Sequence, residues 1–469
     1  MKPRYLLYLA GQAWIIMLAG CSTMNIDKSW SEPRPLGSDF TVYRPPLTPF
    51  KNNDSTSQSF KEPSGTITLR DALAFALIKN PELSVFSWEV RAREARTLQA
   101  SLFPNPELAF EIEEFGGSSE RKGFESAESS LQLSQLIELG GKRSSRVKVA
   151  SLETELSGWD YETKRLEVLT ETAKAFIEVF AAQERVLLAN ESFELAKKIS
   201  EVVSSRVEAG KVSPLEGTKA KVFFSTIEIQ LQQVKRKLET AKKNLASTWG
   251  SASPTFAKVD GKFEIISKIP PFENLLKQLS QNPDIARGET ELRLRNAKIE
   301  LEKSKRIPDI TISAGVQRFE ETNNNSFLLG FSVPLPLFDR NQGGIQEAQF
   351  NYAKATEEQK VAELKIKVSL VQNYEELSSS YLEASALKNK IMPSAQFAFD
   401  AAQEGYQQGK FGYLEVLDAQ RTLFEAKVQY LEALEEYHKA IVEIEGLIGE
   451  KLKPTNATKP VLKEVNNQK

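Results

Sequence analysis

Few side chains in this sequence are suited to covalent or metal chemistry. There is one cysteine, Cys21, and one histidine, His438. A single thiol closes no internal disulfide, and one Cys with one His is too few ligands for a zinc or copper centre. No Ser/His/Asp or Cys/His set supplies a nucleophile with its base, so the residues indicate no enzyme. Gly140-Gly141-Lys142 lacks the spacing of a phosphate-cradling loop and better serves a change of chain direction. The thiol of Cys21 is left, and its surroundings say what it is for.

Lys2 and Arg4 open the chain, Tyr5 to Leu18 are largely apolar, and Leu18-Ala19-Gly20-Cys21 follows. Positive charge, apolar core and small residues describe a secretory signal over residues 1–20. A Cys at the end of Leu-Ala-Gly resembles the bacterial lipobox. That resemblance implies a covalent diacylglyceryl and N-acyl lipid on Cys21, which becomes the first residue of the mature chain. Ser22 in place of Asp implies delivery to the outer membrane. Each buried CH₂ of an acyl chain contributes about 0.8 kcal/mol, so several chains hold firmly. No other cofactor is indicated. Residues 21–65 are rich in Ser, Pro, Asn and Thr and read as a lipidated tether, with 453–469 as a similar tail.

Charge is high and balanced, 61 Lys and Arg against 63 Asp and Glu. That excludes the net basic face of a nucleic-acid binder. Beyond the signal, no apolar run approaches the roughly eighteen residues of a membrane-spanning helix. The body is written twice. Asn80-Pro81-Glu82-Leu83 returns as Asn282-Pro283-Asp284-Ile285 after 202 residues, and Gly210-Lys211 with Leu215-Glu216 returns as Gly409-Lys410 with Leu414-Glu415 after 199. A period near 200 is too long for a solenoid repeat. It marks a duplicated half, residues 66–250 and 251–452.

Each half reads helix, strand, strand, long helix, turn, helix. Arg70 to Leu102 has a helical pattern. Leu108, Phe110 and Ile112 then alternate with Glu107, Ala109, Glu111 and Glu113, and alternation resumes at Leu131, Leu133, Gln135, Ile137 and Leu139. These form a hairpin over 105–139; a second covers 308–338, with its turn at Asn323 to Ser326. Strands of about ten residues match a tilted bilayer crossing. Four strands cannot close on themselves, and an open edge cannot face lipid, so several chains must share one barrel. From Lys142 to Ala209 there is no Pro, which predicts a helix roughly 100 Å long. Leu152, Leu156, Leu166, Ala173 and Phe176 sit at heptad-compatible spacings along it. In the second half, Met392-Pro393 predicts a kink or break.

Tyr406-Gln407-Gln408-Gly409-Lys410, then Leu414-Glu415-Val416-Leu417-Asp418-Ala419-Gln420, resembles the second periplasmic turn of the TolC-like outer-membrane efflux proteins. Phe331-Ser332-Val333-Pro334-Leu335-Pro336-Leu337-Phe338-Asp339-Arg340-Asn341 is similar to a junction typical of the heavy-metal cation efflux branch. The resemblance spans residues 66 to 452. It implies a mainly α fold with membrane β: a long coiled-coil-like helical barrel in the periplasm, plus four strands per chain in a shared twelve-stranded trimeric barrel. It also implies a homotrimer in outer-membrane lipid, a periplasmic membrane-fusion adaptor, and an inner-membrane pump, a proton-driven cation transporter.

Site residues follow from the same resemblance. Glu415 and Asp418 match an acidic ring at the pore constriction. Glu216 and Tyr406 match a hydroxyl-to-carboxylate lock of the closed tip, but Phe411 stands where the family has its Arg partner, with Lys410 beside it. Gly210, Lys211, Leu215, Gly409 and Leu414 fall on the turns that meet the adaptor. Two alternatives stay open: a channel for drugs or secreted proteins, and a non-channel coiled-coil envelope lipoprotein. Cys21→Ala is expected to abolish incorporation of labelled lipid while leaving barrel assembly intact; an unlabelled wild-type protein would rule out the anchor.

Overall fold

The structure, a computed structural model, describes residues 30–46, 62–261 and 269–452. Cys21, the signal, residues 47–61 of the tether and the tail lie outside the described residues. In chain order the elements are β1 (Gly65–Thr68), α1 (Leu69–Lys79), α2 (Pro81–Ser101), β2 (Glu107–Glu113), β3 (Glu128–Ile137), α3 (Lys142–Glu208), α4 (Pro214–Ser247), β4 (Phe256–Asp260), α5 (Phe272–Gln278), α6 (Pro283–Ser304), β5 (Ile310–Phe319), β6 (Asn324–Ser332), α7 (Gln342–Ala386), α8 (Met392–Gln407) and α9 (Tyr413–Ile448). They divide into two compact units, each drawing on both sequence repeats.

The first unit comprises Val90–Gly158 and Thr290–Ala353, with Trp30 and Ser31. Its sheet is antiparallel in the order β2-β3-β5-β6. Register places Phe110, Leu131, Val316 and Phe327 in one cross-strand row, while the adjoining row holds Glu111, Ser130, Gln317 and Ser326. Period-two alternation has thus sorted the sheet into an apolar and a polar face. Among the described residues of the unit nothing covers the apolar face, where Phe327 is 92% and Leu329 86% exposed. Among the described residues, β2 and β6 each keep one edge without a strand partner. The second hairpin turns at Glu320–Asn323, not Asn323 to Ser326: Asn323 takes φ 55°, and the ladder closes with Phe319 opposite Asn324.

The hairpins are clasped where they meet the helices. The Asp309 carboxylate accepts from the Leu139 N–H at 2.9 Å and the Lys142 ammonium at 2.6 Å, joining the exit of one hairpin to the entry of the other. Gly140 between them takes φ +68°, and a Cβ there would lie 2.9 Å from both Ile307 and the Ser304 carbonyl. Only glycine suits that approach.

The second unit comprises Glu32–Glu89, Trp159–Glu289 and Lys354–Lys469. β1 and β4, absent from the expected element order, pair in parallel over a core of Ile67, Phe176, Leu245, Trp249 and Phe256. The N-terminal segment is tied in by a buried ion pair, Arg165–Glu162 at 2.7 Å. Arg165 donates to the Leu36 and Arg34 carbonyls, and Glu162 accepts the Arg34 N–H. The helix expected from Arg70 to Leu102 is two helices, because Pro81 brings no N–H and the Asn80 carboxamide oxygen caps the new start through the Leu83 N–H at 2.8 Å. The break at Met392-Pro393 takes the form of a wide π turn, Leu387–Ile391, so the chain stays helical past the proline.

Burial raises the Asp309 carboxyl, but the Lys142 ammonium and the Leu139 N–H more than offset this and hold it below its ordinary range. Its stabilisation is therefore present above the unfolded value of about 4 and lost as acid titrates the folded carboxylate. Asp309→Asn should cost roughly 1–3 kcal/mol near pH 7. In thermal melts of the detergent-solubilised protein, the gap from wild type should shrink below about pH 4.

Candidate functional site: the paired helical turns

Two turns in the second unit, α3 to α4 and α8 to α9, repeat one piece of backbone chemistry. At the first, the Gly210 N–H donates to the Val207 carbonyl and the Lys211 N–H to Arg206, both at 2.9 Å. At the second, the Gly409 N–H donates to Tyr406 at 3.1 Å and the Lys410 N–H to Gly405 at 2.8 Å. These are Schellman motifs, in which a left-handed residue lets the chain fold back on orphan carbonyls. Gly210 and Gly409 supply it, with φ +65° and +73°. Ser213 then caps α4 through the Leu215 N–H, with Pro214 in the first turn.

The side chains on the turns divide into an inner and an outer set. Inside, Tyr406, Tyr413, Val416, Leu423, Phe399 and Val203 form one buried cluster. Burial pushes the Tyr413 phenol well above its ordinary range, with Tyr406 adding to the effect. Outside, Leu215 and Leu414 are 61% and 55% exposed at equivalent places, and Lys211 and Lys410 are exposed beside them. Glu216 is half-buried in the first turn of α4, where the helix dipole favours a carboxylate.

The expected hydroxyl-to-carboxylate bond between Tyr406 and Glu216 is absent within the chain. The Tyr406 ring is drawn into the apolar cluster, and its buried hydroxyl has no hydrogen-bond partner. Phe411 does pack into the turn, its ring lying so close over Gly405 that an added Cβ would collide with it. The residue that sequence reasoning missed is Arg206. It donates to the Tyr406 carbonyl at 3.2 Å and the Gln407 carbonyl at 3.4 Å, with its guanidinium 4.3 Å from the Tyr406 ring centroid. The available signal was its place in the repeat: four residues before Gly210, where the second copy has Gly405.

Glu415 and Asp418 are both exposed on the first turns of α9. Neither has an ion-pair partner among the described residues. Farther along, Glu425, Glu432 and Glu436 are also exposed, at seven- and four-residue steps that keep them on the same side of the helix. They line an open groove of about 1110 Å³ bounded by α3, α4 and α9. Gln420, 1% exposed, lies on its wall with neither carboxamide atom hydrogen-bonded. Among the described residues, no three carboxylates, cysteines or histidines converge as a metal centre would require.

The family model described as outer membrane efflux protein matches residues 73–251 and 275–450. The cobalt-zinc-cadmium resistance protein CzcC of Cupriavidus metallidurans is 37% identical over 389 residues, covering 83% of this chain and 91% of that protein. The nickel and cobalt resistance protein CnrC of the same organism is 26% identical, covering 61% of this chain and 67% of that one. A crystal structure of a membrane protein from Pseudomonas aeruginosa superposes with a TM-score of 0.71 at 19% identity, covering 89% and 99% of the two chains.

Packing of Phe411 on Gly405 gives a local test. Gly405→Ala must expel the ring and loosen the second turn. Trypsin should then cut after Lys410 several-fold faster, with cutting after Lys211 unchanged, because local opening governs cleavage. Equal rates at Lys410 in both proteins would show that the ring does not close this turn.

Proposed function

This chain belongs to the outer membrane efflux protein family, and from that premise we propose that it passes divalent metal cations from a periplasmic pump complex to the exterior. It is an outer-membrane efflux channel. The observation that carries the cargo is the 37% identity with a cobalt-zinc-cadmium resistance protein across most of both chains. The exposed carboxylates on α9 support it, since rings of carboxylates favour cations over anions.

Three copies, each contributing the β2-β3-β5-β6 sheet, would pair β2 of one with β6 of the next and leave no edge in lipid. The lipid on Cys21 adds a second anchor. Glu415 and Asp418, repeated by the homotrimer, form the acidic ring. Leu215, Leu414 and the turns at Gly210 and Gly409 meet the membrane-fusion adaptor. The energy comes from the inner-membrane pump, a proton-driven cation transporter, so the channel itself needs a passage and a gate and no catalytic group.

A strain lacking the gene should become sensitive to cobalt, zinc and cadmium; unchanged sensitivity would remove the metal cargo. In planar bilayers, Glu415→Gln with Asp418→Asn should lower the cation-to-anion permeability ratio several-fold. An unaltered ratio would remove the acidic ring and leave the channel standing.

A further inference from the structure

The two turns carry the same backbone motif but different side chains. Aligned by the repeat, Arg206 answers to Gly405, Val207 to Tyr406 and Val212 to Phe411. In the second copy, loss of the side chain at Gly405 makes room for the Phe411 ring. In the first, Arg206 keeps its own backbone in the first turn, where its carbonyl accepts the Lys211 N–H, and sends its guanidinium to the second.

What Arg206 meets there is a helix C-terminus. Tyr406 and Gln407 belong to the last turn of α8, whose carbonyls carry the negative end of the helix dipole. The planar guanidinium takes both carbonyls and stacks on the Tyr406 face. Arg206 is half-buried and has no carboxylate partner among the described residues. Its positive charge is therefore committed to this cap. The phenol oxygen of Tyr406 makes no hydrogen bond among the described residues, so the contribution of Tyr406 to the contact is its ring and its carbonyl.

We propose that Arg206 is the intramolecular latch of the tip: a positioning residue that rivets the α3–α4 turn to the α8–α9 turn through the end of α8 and the face of Tyr406. The inference rests on the gate reading only in its link to conductance; the latch itself is a contact within one chain. It differs from a phenol-to-carboxylate lock in what each atom does. The aromatic face and the guanidinium fork are required, and the phenol hydroxyl is dispensable.

The test uses the full-length protein in two measurements. In planar bilayers, Arg206→Ala should raise the fraction of time open by roughly ten-fold, and Tyr406→Leu, which keeps both carbonyls, by less. The double variant should open no more than Arg206→Ala alone, because Tyr406→Leu removes only the ring part of the contact that Arg206→Ala removes whole. Tyr406→Phe should behave as wild type, and Arg206→Lys should fall between, keeping charge without the fork. Hydrogen exchange gives the second readout. Arg206→Ala should speed exchange of the Gly409 and Lys410 amides and leave the β3–β5 ladder unchanged. The latch is overturned if Arg206→Ala exchanges like wild type at those amides, or if Tyr406→Phe opens as far as Tyr406→Leu. Faster exchange in a protein that carries no current would keep the latch and sink the channel reading instead.

Discussion

A backbone amide in hydrocarbon has no water to turn to, and this constraint governs how the chain can be used. Among the described residues, the β2-β3-β5-β6 sheet presents an apolar face with nothing over it and ends in two strands with free edges. In water, that face would aggregate. In lipid, the face is at home but the edges are not, because each unpaired N–H or C=O costs several kcal/mol there. The single chain is thus satisfied in neither solvent. Only other copies supplying edge strands resolve both problems, which is why the membership of this chain in a channel family and its four-stranded sheet are one physical fact.

The duplication explains how so regular a chain acquires a specialised end. Both halves keep the parts that backbone geometry dictates: the Asn-Pro start of α2 and α6, the hairpin, and the left-handed glycine of the turn. They diverge where side chains from different copies meet. Arg206 and Gly405 occupy one repeat position and do opposite things, one reaching out and the other standing aside for a ring. A second arginine, at 405, would collide with the Phe411 ring, and a pair of glycines would lose the bonds that tie the turns.

Legibility in the sequence followed the range of the interaction. The four sheet strands were readable because alternation is local, and Gly210 and Gly409 because a helix followed by Gly-Lys predicts a left-handed residue. β1 and β4 were not, since strands of four and five residues carry little pattern and pair across nearly the whole first repeat. The break at Pro81 is hard to see because the burial periodicity of α1 and α2 runs nearly in phase across it. The Tyr406 lock was carried by resemblance alone and fails within the chain, where a buried tyrosine between Arg206 and Tyr413 is placed by its ring. No local rule connects residue 206 with residue 406; that contact exists only once the α3–α4 and α8–α9 turns are packed together.

The carboxylates on α9 show what a conduit needs that a binding protein does not. A resident metal site gathers three or four ligands about one ion. Glu415, Asp418, Glu425, Glu432 and Glu436 are instead strung along one helix. Glu425 is already engaged by Arg421 at 3.1 Å. Carboxylates so spaced can attract cations without holding them, which is what conduction requires, because an ion bound tightly at any point would stop the rest. At the end of α8 the hydrogen bonds and ring contact of a single arginine join two turns that lie 200 residues apart in the chain.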